Sequence, residues 1–320
     1  MIKYFLISLL LFSMVSCNKK SKIEQDVEQI PVELSVDRFD KAFFETKPED
    51  LANLKTKYPF FFSNKYDDKV WIDKLQNKDW RALYNEVQKK YANFDKQTTE
   101  IEDLFKHIKY YFPETITPKV YTVIAEMDYN SKAIYANDKL IIALELYLGT
   151  NHKFYQFPEY LKQNFEERQM MPDIVSSYAL TKIPLPSDKT LLSSMIYYGK
   201  ELYLKDLLLP DYSDAERIGY KSEQITWCQE NESYMWRFFI DDNLLFDTDY
   251  RLPNRFINLA PFSKFYLEID NESPGRIGQW VGWQIVRSFM EHNDSSLQDM
   301  LKMDAKQLFE KSKYKPKKNE

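Results

Sequence analysis

Residues 119–149 read KVYTVIAEMDYNSKAIYANDKLIIALELYLG, and this stretch decides the fold class. KVYTVIAEM (119–127) is β-branched and apolar, as a buried strand requires. Asp128, Tyr129 and Asn130 form a turn cluster. SKAIYAND (131–138) is a short second strand candidate. KLIIALELYLG (139–149) is a third extended or buried run. A sheet of three or four strands is expected here, within residues 119–146.

Working outward, the pattern on both sides is helical. Upstream, SVDRFDKAFFET (35–46) opens with a capping candidate, Ser35, and places Phe39, Phe43 and Phe44 on neighbouring turns. PEDLANLKTKYPFFF (48–62) continues as a helix that Pro59 ends. Residues 70–112 read as two helices. Val70, Ile72, Leu75 and Trp80 mark the first, and Val87 through Ile108 the second. Downstream, PEYLKQNFEERQMM (158–171) is a helix ending near Pro172, followed by PDIVSSYALTK (172–182). DKTLLSSMIYYGKELYLKDLLL (188–209) is long and periodic and is closed by Pro210. SEQITWCQENESYMWRFFIDDNLL (222–245) is a helix or helix pair. A loop holding Pro253 and Pro261 leads to ESPGRIGQWVGWQIVRSFMEH (272–292), a Gly turn and a helix. Gly278 and Gly282 stand four apart, on one face, which permits close approach of another backbone. The reading is an α+β fold, mainly helical with one small sheet, as a single domain over 30–310. KSKYKPKKNE (311–320) is a charged tail expected to fray.

Composition agrees. Six Gly in 320 residues are too few for a sandwich or barrel rich in turns. The 23 Tyr, 22 Phe and 6 Trp supply a real core. The net charge, 44 − 49 = −5, gives no footing for nucleic acid.

The N-terminus reads as an address. Lys3 is followed by an apolar run from Tyr4 to Val15, too short to span a bilayer. Ser16 precedes Cys17 in the manner of a bacterial lipobox, with Met14 where Leu is commoner. Residues 1–16 are thus read as a signal peptide. Cys17 is read as the lipidated residue, and 17–29 as a polar, flexible spacer. With Cys17 acylated, Cys228 has no disulfide partner and reads as a buried thiol.

Catalytic patterns are scarce. His107, His152 and His292 form no HExxH and no pair at helical spacing, so no metal is expected. No G-x-S-x-G surrounds Ser176 or Ser177. GRIGQWVG (275–282) has the wrong spacing for a dinucleotide loop and no strand before it. Acid pairs occur at Glu166 with Glu167, Asp241 with Asp242, and Asp247 with Asp249. A solvated face is their first reading, and two acids are too few for Ca²⁺. No cofactor is expected.

Several long motifs carry a resemblance. ITWCQENESYMWRFFIDDNLLFDTD (225–249), RFINLAPFSKF (255–265) and ESPGRIGQWVGWQIVRSFM (272–290) resemble the C-terminal half of the GldB gliding-motility lipoproteins of Bacteroidetes. VDRFDKAFF (36–44), YPFFF (58–62) and MIYYGKELYLKDLLLPD (195–211) match the rest. The resemblance implies a membrane-anchored component of gliding that binds other envelope proteins of the gliding and secretion apparatus. The basic residues after Cys17, where surface lipoproteins of that phylum carry acids, imply a periplasm-facing location. The family is in turn similar to predicted zinc-dependent proteases, in which an HExxH helix follows a short sheet and a Glu-Gly pair lies on the next long helix. Here residues Met171 to Leu180 hold neither His nor Glu, and Tyr198-Gly199 stands in place of Glu-Gly. A degenerate zincin-like arrangement without metal or hydrolysis is therefore expected. The alternative is an envelope hydrolase built on acids such as Asp241, Asp242, Asp247 or Asp249.

Overall fold

The computed structural model describes residues 21–317. Cys17 and the leader lie outside the described residues.

Four strands form one mixed sheet: β1 (Val36–Asp37), β2 (Lys119–Val123), β3 (Ala133–Ala136) and β4 (Lys139–Ala143). The spatial order is β1-β2-β4-β3. β1 and β4 both run parallel to β2, and β3 pairs antiparallel with β4. Four of the five β2 residues are buried, because helices cover both faces of a largely parallel sheet. β1 is the strand that residues 119–149 do not contain. Ser35, expected as a helix cap, instead gives its carbonyl to the amide of Val120. The helix starts later, as α2 (Phe39–Phe44), and part of the segment expected as a flexible spacer is instead a helix, α1 (Lys22–Glu28), which buries Val27.

A polar cluster locks this edge. Arg38 pairs with Asp40 at 2.8 Å, and Thr122 on β2 donates to Asp40 at 2.6 Å. Gln88 donates to the same carboxylate at 2.8 Å. Asp40 is 1% exposed, so the cluster is an interior network whose carboxylate is satisfied on both oxygens.

Between β1 and β2 lie α3 (Leu51–Lys57), α4 (Asp68–Gln76), α5 (Lys78–Tyr91) and α6 (Asp95–Tyr111). The segment expected as two helices is three. Asn77 breaks the first, because its side chain accepts from the amides of Asp79 and Trp80 and so caps α5.

After the sheet come α7 (Glu159–Lys162), α8 (Met170–Ala179) and α9 (Leu191–Leu208). Pro172 does not end a helix. It sits in the first turn of α8, where a missing N–H costs nothing. Ser177 on α8 accepts from the amide of Tyr135, which satisfies the edge strand β3. α9 buries residues around its whole circumference and is the central helix.

The remaining helices are α10 (Asp214–Ile218), α11 (Ser222–Glu230), α12 (Glu232–Asp241), α13 (Leu252–Phe256), α14 (Ile277–His292), α15 (Leu297–Lys302) and α16 (Ala305–Ser312). The expected loop around Pro253 thus contains a short helix that the proline opens. α14 packs most extensively on α9. Tyr314 donates to Glu232 at 2.7 Å and packs on Trp236, so this part of the charged end is held rather than frayed. Most of the aromatic surplus is core, Trp283 being fully buried, and tyrosine hydroxyls are paired where they enter it. Tyr91 donates to the carbonyl of Tyr147 at 2.7 Å and Tyr147 to Asp173 at 2.9 Å.

Candidate functional site

The sequence-level candidates do not converge. His107 is buried between the carbonyl of Asp103 and the Glu24 carboxylate, His152 faces Glu86, and His292 bonds back to its own helix at Ser288. Asp241, Asp242 and Asp247 are exposed. Asp249 is held by Arg251, whose hydrogen bonds and charge lower its pKa to about 2. None of these four acids is placed as a general acid. The 245–247 segment has another task. The carbonyls of Leu245 and Asp247 accept from Leu192 and Leu191, the first amides of α9. Glu166 accepts from the amide of Thr150, and Glu167 pairs with Lys96. Cys228 is buried, and burial moves its thiol far from ionisation.

A different set of residues does converge. α8, α9, the end of α10, the start of α14 and the loops at 129–132 and 257–259 enclose an open cleft of about 550 Å³. α8 contributes Pro172, Asp173 and Ser176, and α9 contributes Tyr198, Glu201 and Lys205. Lys132 enters from the loop before β3 and Arg217 from α10. Arg276 is the residue immediately before α14.

Most charges in this cleft are matched. Lys132 meets Asp173 at 2.6 Å, and Lys205 meets Glu201 at 3.1 Å. Ser176 donates to the same Glu201 oxygen at 2.7 Å. Arg217 is held by Asp206 and Asp214 at 3.4 and 3.1 Å, a pair that Arg287 also clamps. Arg276 differs. Its Nη2 donates to the carbonyl of Gly219 at 3.2 Å, and its guanidinium lies 5.2 Å from the Tyr220 ring centroid. Among the described residues no carboxylate reaches it at ion-pair distance. Burial lowers its pKa, against the charges of Glu201 and Asp173 farther off, and the guanidinium stays protonated. Its backbone is left-handed, with φ 66°, a conformation costly for a residue with a Cβ.

Gly219 shapes the wall beside Arg276. It ends α10 with φ 72°, and a Cβ there would press on the Asn164 amide at 2.9 Å. Asn164, Gln169 and Gln279 add amide groups to the lining.

The two stretches that the protease resemblance singled out both reach this cleft. The stretch Met171 to Leu180 is α8 with its cap, and Tyr198-Gly199 lies on α9. The donors do not fit a zinc ion. No group of three His, Cys, Asp or Glu able to hold a metal occurs among the described residues. No helix among them is long and apolar enough to cross a membrane.

Sequence reasoning missed the charged cleft because its residues are spread along the chain, with Lys132, Asp173, Arg217 and Arg276 each in a different segment. One signal was present: Lys200, Glu201, Lys205 and Asp206 put four charges into a helix that is otherwise largely apolar.

A mainly helical α+β chain with a polar cleft, in which no metal or nucleophile centre assembles among the described residues, is the class defined by fold and site. The family model for gliding motility protein GldB, a family of lipoproteins, matches residues 20–316. The chain belongs to that family. No curated protein and no solved structure matches it.

Proposed function

We propose that this protein is a lipid-anchored component required for gliding motility, and that it acts by binding other envelope proteins of the gliding and secretion apparatus rather than by catalysis. The family match through residues 20–316 carries the reading. Cys17 is the anchor, residues 1–16 are removed, the start of the 17–29 segment, ahead of α1, tethers the body, and 30–310 form the bulk of the working domain. The body faces the periplasm. The lipobox arrangement of Ser16 and Cys17 supports the anchor, since two or more acyl chains at ~0.8 kcal/mol per methylene hold a protein stably on a membrane. The scaffold descends from a zincin-like protease whose metal has been lost. Supporting that descent, the sheet is followed by α8 and then α9, and both line the cleft.

The test is movement. A strain lacking the gene is complemented with wild type or with Cys17→Ala. Lost gliding restored by wild type alone is expected. Normal gliding without the gene would remove the proposal. Metal analysis of gently purified protein checks the non-enzymatic part, and stoichiometric zinc would revive a hydrolase.

A further inference from the structure

We propose that the cleft binds the free carboxylate end of a peptide, with Arg276 as its anion-binding residue. This deepens the reading of the protein as a binder and rests on it.

Charge matching points to the ligand. Lys132, Lys205 and Arg217 each have an acid in contact, while Arg276 has none at ion-pair distance among the described residues. One unmatched cation calls for one negative charge. A carboxylate supplies it and fits the planar guanidinium fork. A phosphate dianion fits worse, because Asp173 and Glu201 share the cleft and their charges act on the Arg276 guanidinium. Those two acids suit a peptide's N–H groups instead. The bonds and ion pairs of Glu201 with Ser176 and Lys205 all use Oε1, and those of Asp173 with Lys132 and Tyr147 use Oδ2. Oε2 and Oδ1 are thus the oxygens open to a ligand's donors. The Asn164 amide at the wall can meet a backbone peptide group. The volume, about 550 Å³, lies within the range of small-ligand sites, roughly 300–1,000 Å³.

Two sources share this chemistry: a free short peptide, and the C-terminus of a partner protein. The test uses full-length protein in detergent, equilibrated with a randomised tripeptide pool in free-acid and C-terminally amidated forms. Retained peptides are quantified by mass spectrometry. The free-acid pool is expected to be retained at least about tenfold over the amidated pool. Arg276→Asn should bring the acid pool down to the amide level, and Asn tolerates the left-handed backbone there. The comparison of acid with amide on wild type stands even if that variant misfolds. Twelve-residue peptides ending in the retained tripeptides separate the sources: equal binding marks a protein C-terminus, and rejection marks a free short peptide. Equal retention of acid and amide, retention of neither, or stronger competition by inorganic phosphate than by the acid pool would overturn the proposal. Cells that need the protein to glide, though the purified protein ignores peptides, would sink this ligand class and leave the motility reading standing.

Discussion

Gly199 and Gly282 meet backbone to backbone where α9 packs on α14. A methyl group on Gly199 would overlap the carbonyl of Gly282, and one on Gly282 would overlap the carbonyl of Met195. The atoms in the way are main chain and cannot swing aside. The contact sets how far apart the two helices stand, and both helices line the cleft.

Gly282→Ala is therefore expected to cost about 3 kcal/mol, at the upper end of overpacking penalties. Gly282→Leu should cost at least as much. Gly278→Ala should cost less, because its nearest obstacles, the tip of the Ile257 side chain and the Phe256 carbonyl, stand at 2.8 and 2.9 Å against 1.9 Å for the Met195 carbonyl at Gly282. Chemical denaturation midpoints give the order. Equal stability of Gly282→Ala and wild type would mean that the helices do not touch at this point.

Asp40 organises the joint between the N-terminal helices and the sheet. Asp40→Ala leaves the Arg38 guanidinium without its carboxylate and frees the Thr122 and Gln88 donors. A loss of about 3 kcal/mol is expected. Thr122→Val removes the donation to Asp40 and the acceptance from Arg38 Nε, and should cost about 1–2 kcal/mol. If both variants unfold at the same denaturant concentration, the carboxylate is not the hub.

Glu145 makes stability depend on pH. Its side chain is fully buried, Oε1 accepts from the amide of Ala125, and Oε2 has no partner. Burial raises its pKa from 4.5 to about 7, against backbone amides that favour the charge. Below about pH 4.5 the carboxyl is protonated in both folded and unfolded chains. Between there and pH 7 the unfolded chain releases the proton and the folded one keeps it, so stability falls as pH rises. The loss approaches about 3 kcal/mol and levels off above pH 7. Glu145→Gln should flatten this slope in melting curves taken from pH 4.5 to 8. A slope that survives the substitution would assign it to other groups.

Arg276 sets function against stability. Arg276→Gly relieves the left-handed backbone and is expected to gain about 1 kcal/mol while losing carboxylate-terminated peptides. Calorimetric melting checks the gain. A marked loss of stability would show that the bond to Gly219 and the contact with Tyr220 outweigh the strain.

Much of the fold was legible because local patterns and tertiary contacts agree. β2, β3 and β4 fall inside the three runs of residues 119–149, and Pro210 follows the end of α9 closely. The shared face of Gly278 and Gly282 meets the neighbouring backbone that their spacing demanded. β1 was not legible. Two residues carry no periodicity, and the partner strand that makes them a strand lies far along the chain. The break between α4 and α5 was hidden because Leu75 and Trp80 continue an apolar pattern across the Asn77 cap. The cleft was least legible. Asp173, Glu201 and Arg276 come together only after α8, α9 and α14 have packed, and single charges in separate segments leave no spacing to read.

The parallel pairing of β1 with β2 also bears on the order of folding. Val36 faces Val120, 84 positions on, whereas Ala136 and Lys139 of the β3–β4 hairpin are three apart. Closing the longer loop costs more chain entropy before any contact rewards it. On this ground the hairpin and the helices stacked on it are expected to form first and β1 to dock last. A chain caught before that step has an open flank on β2, the flank where an unpaired strand invites association with a second copy.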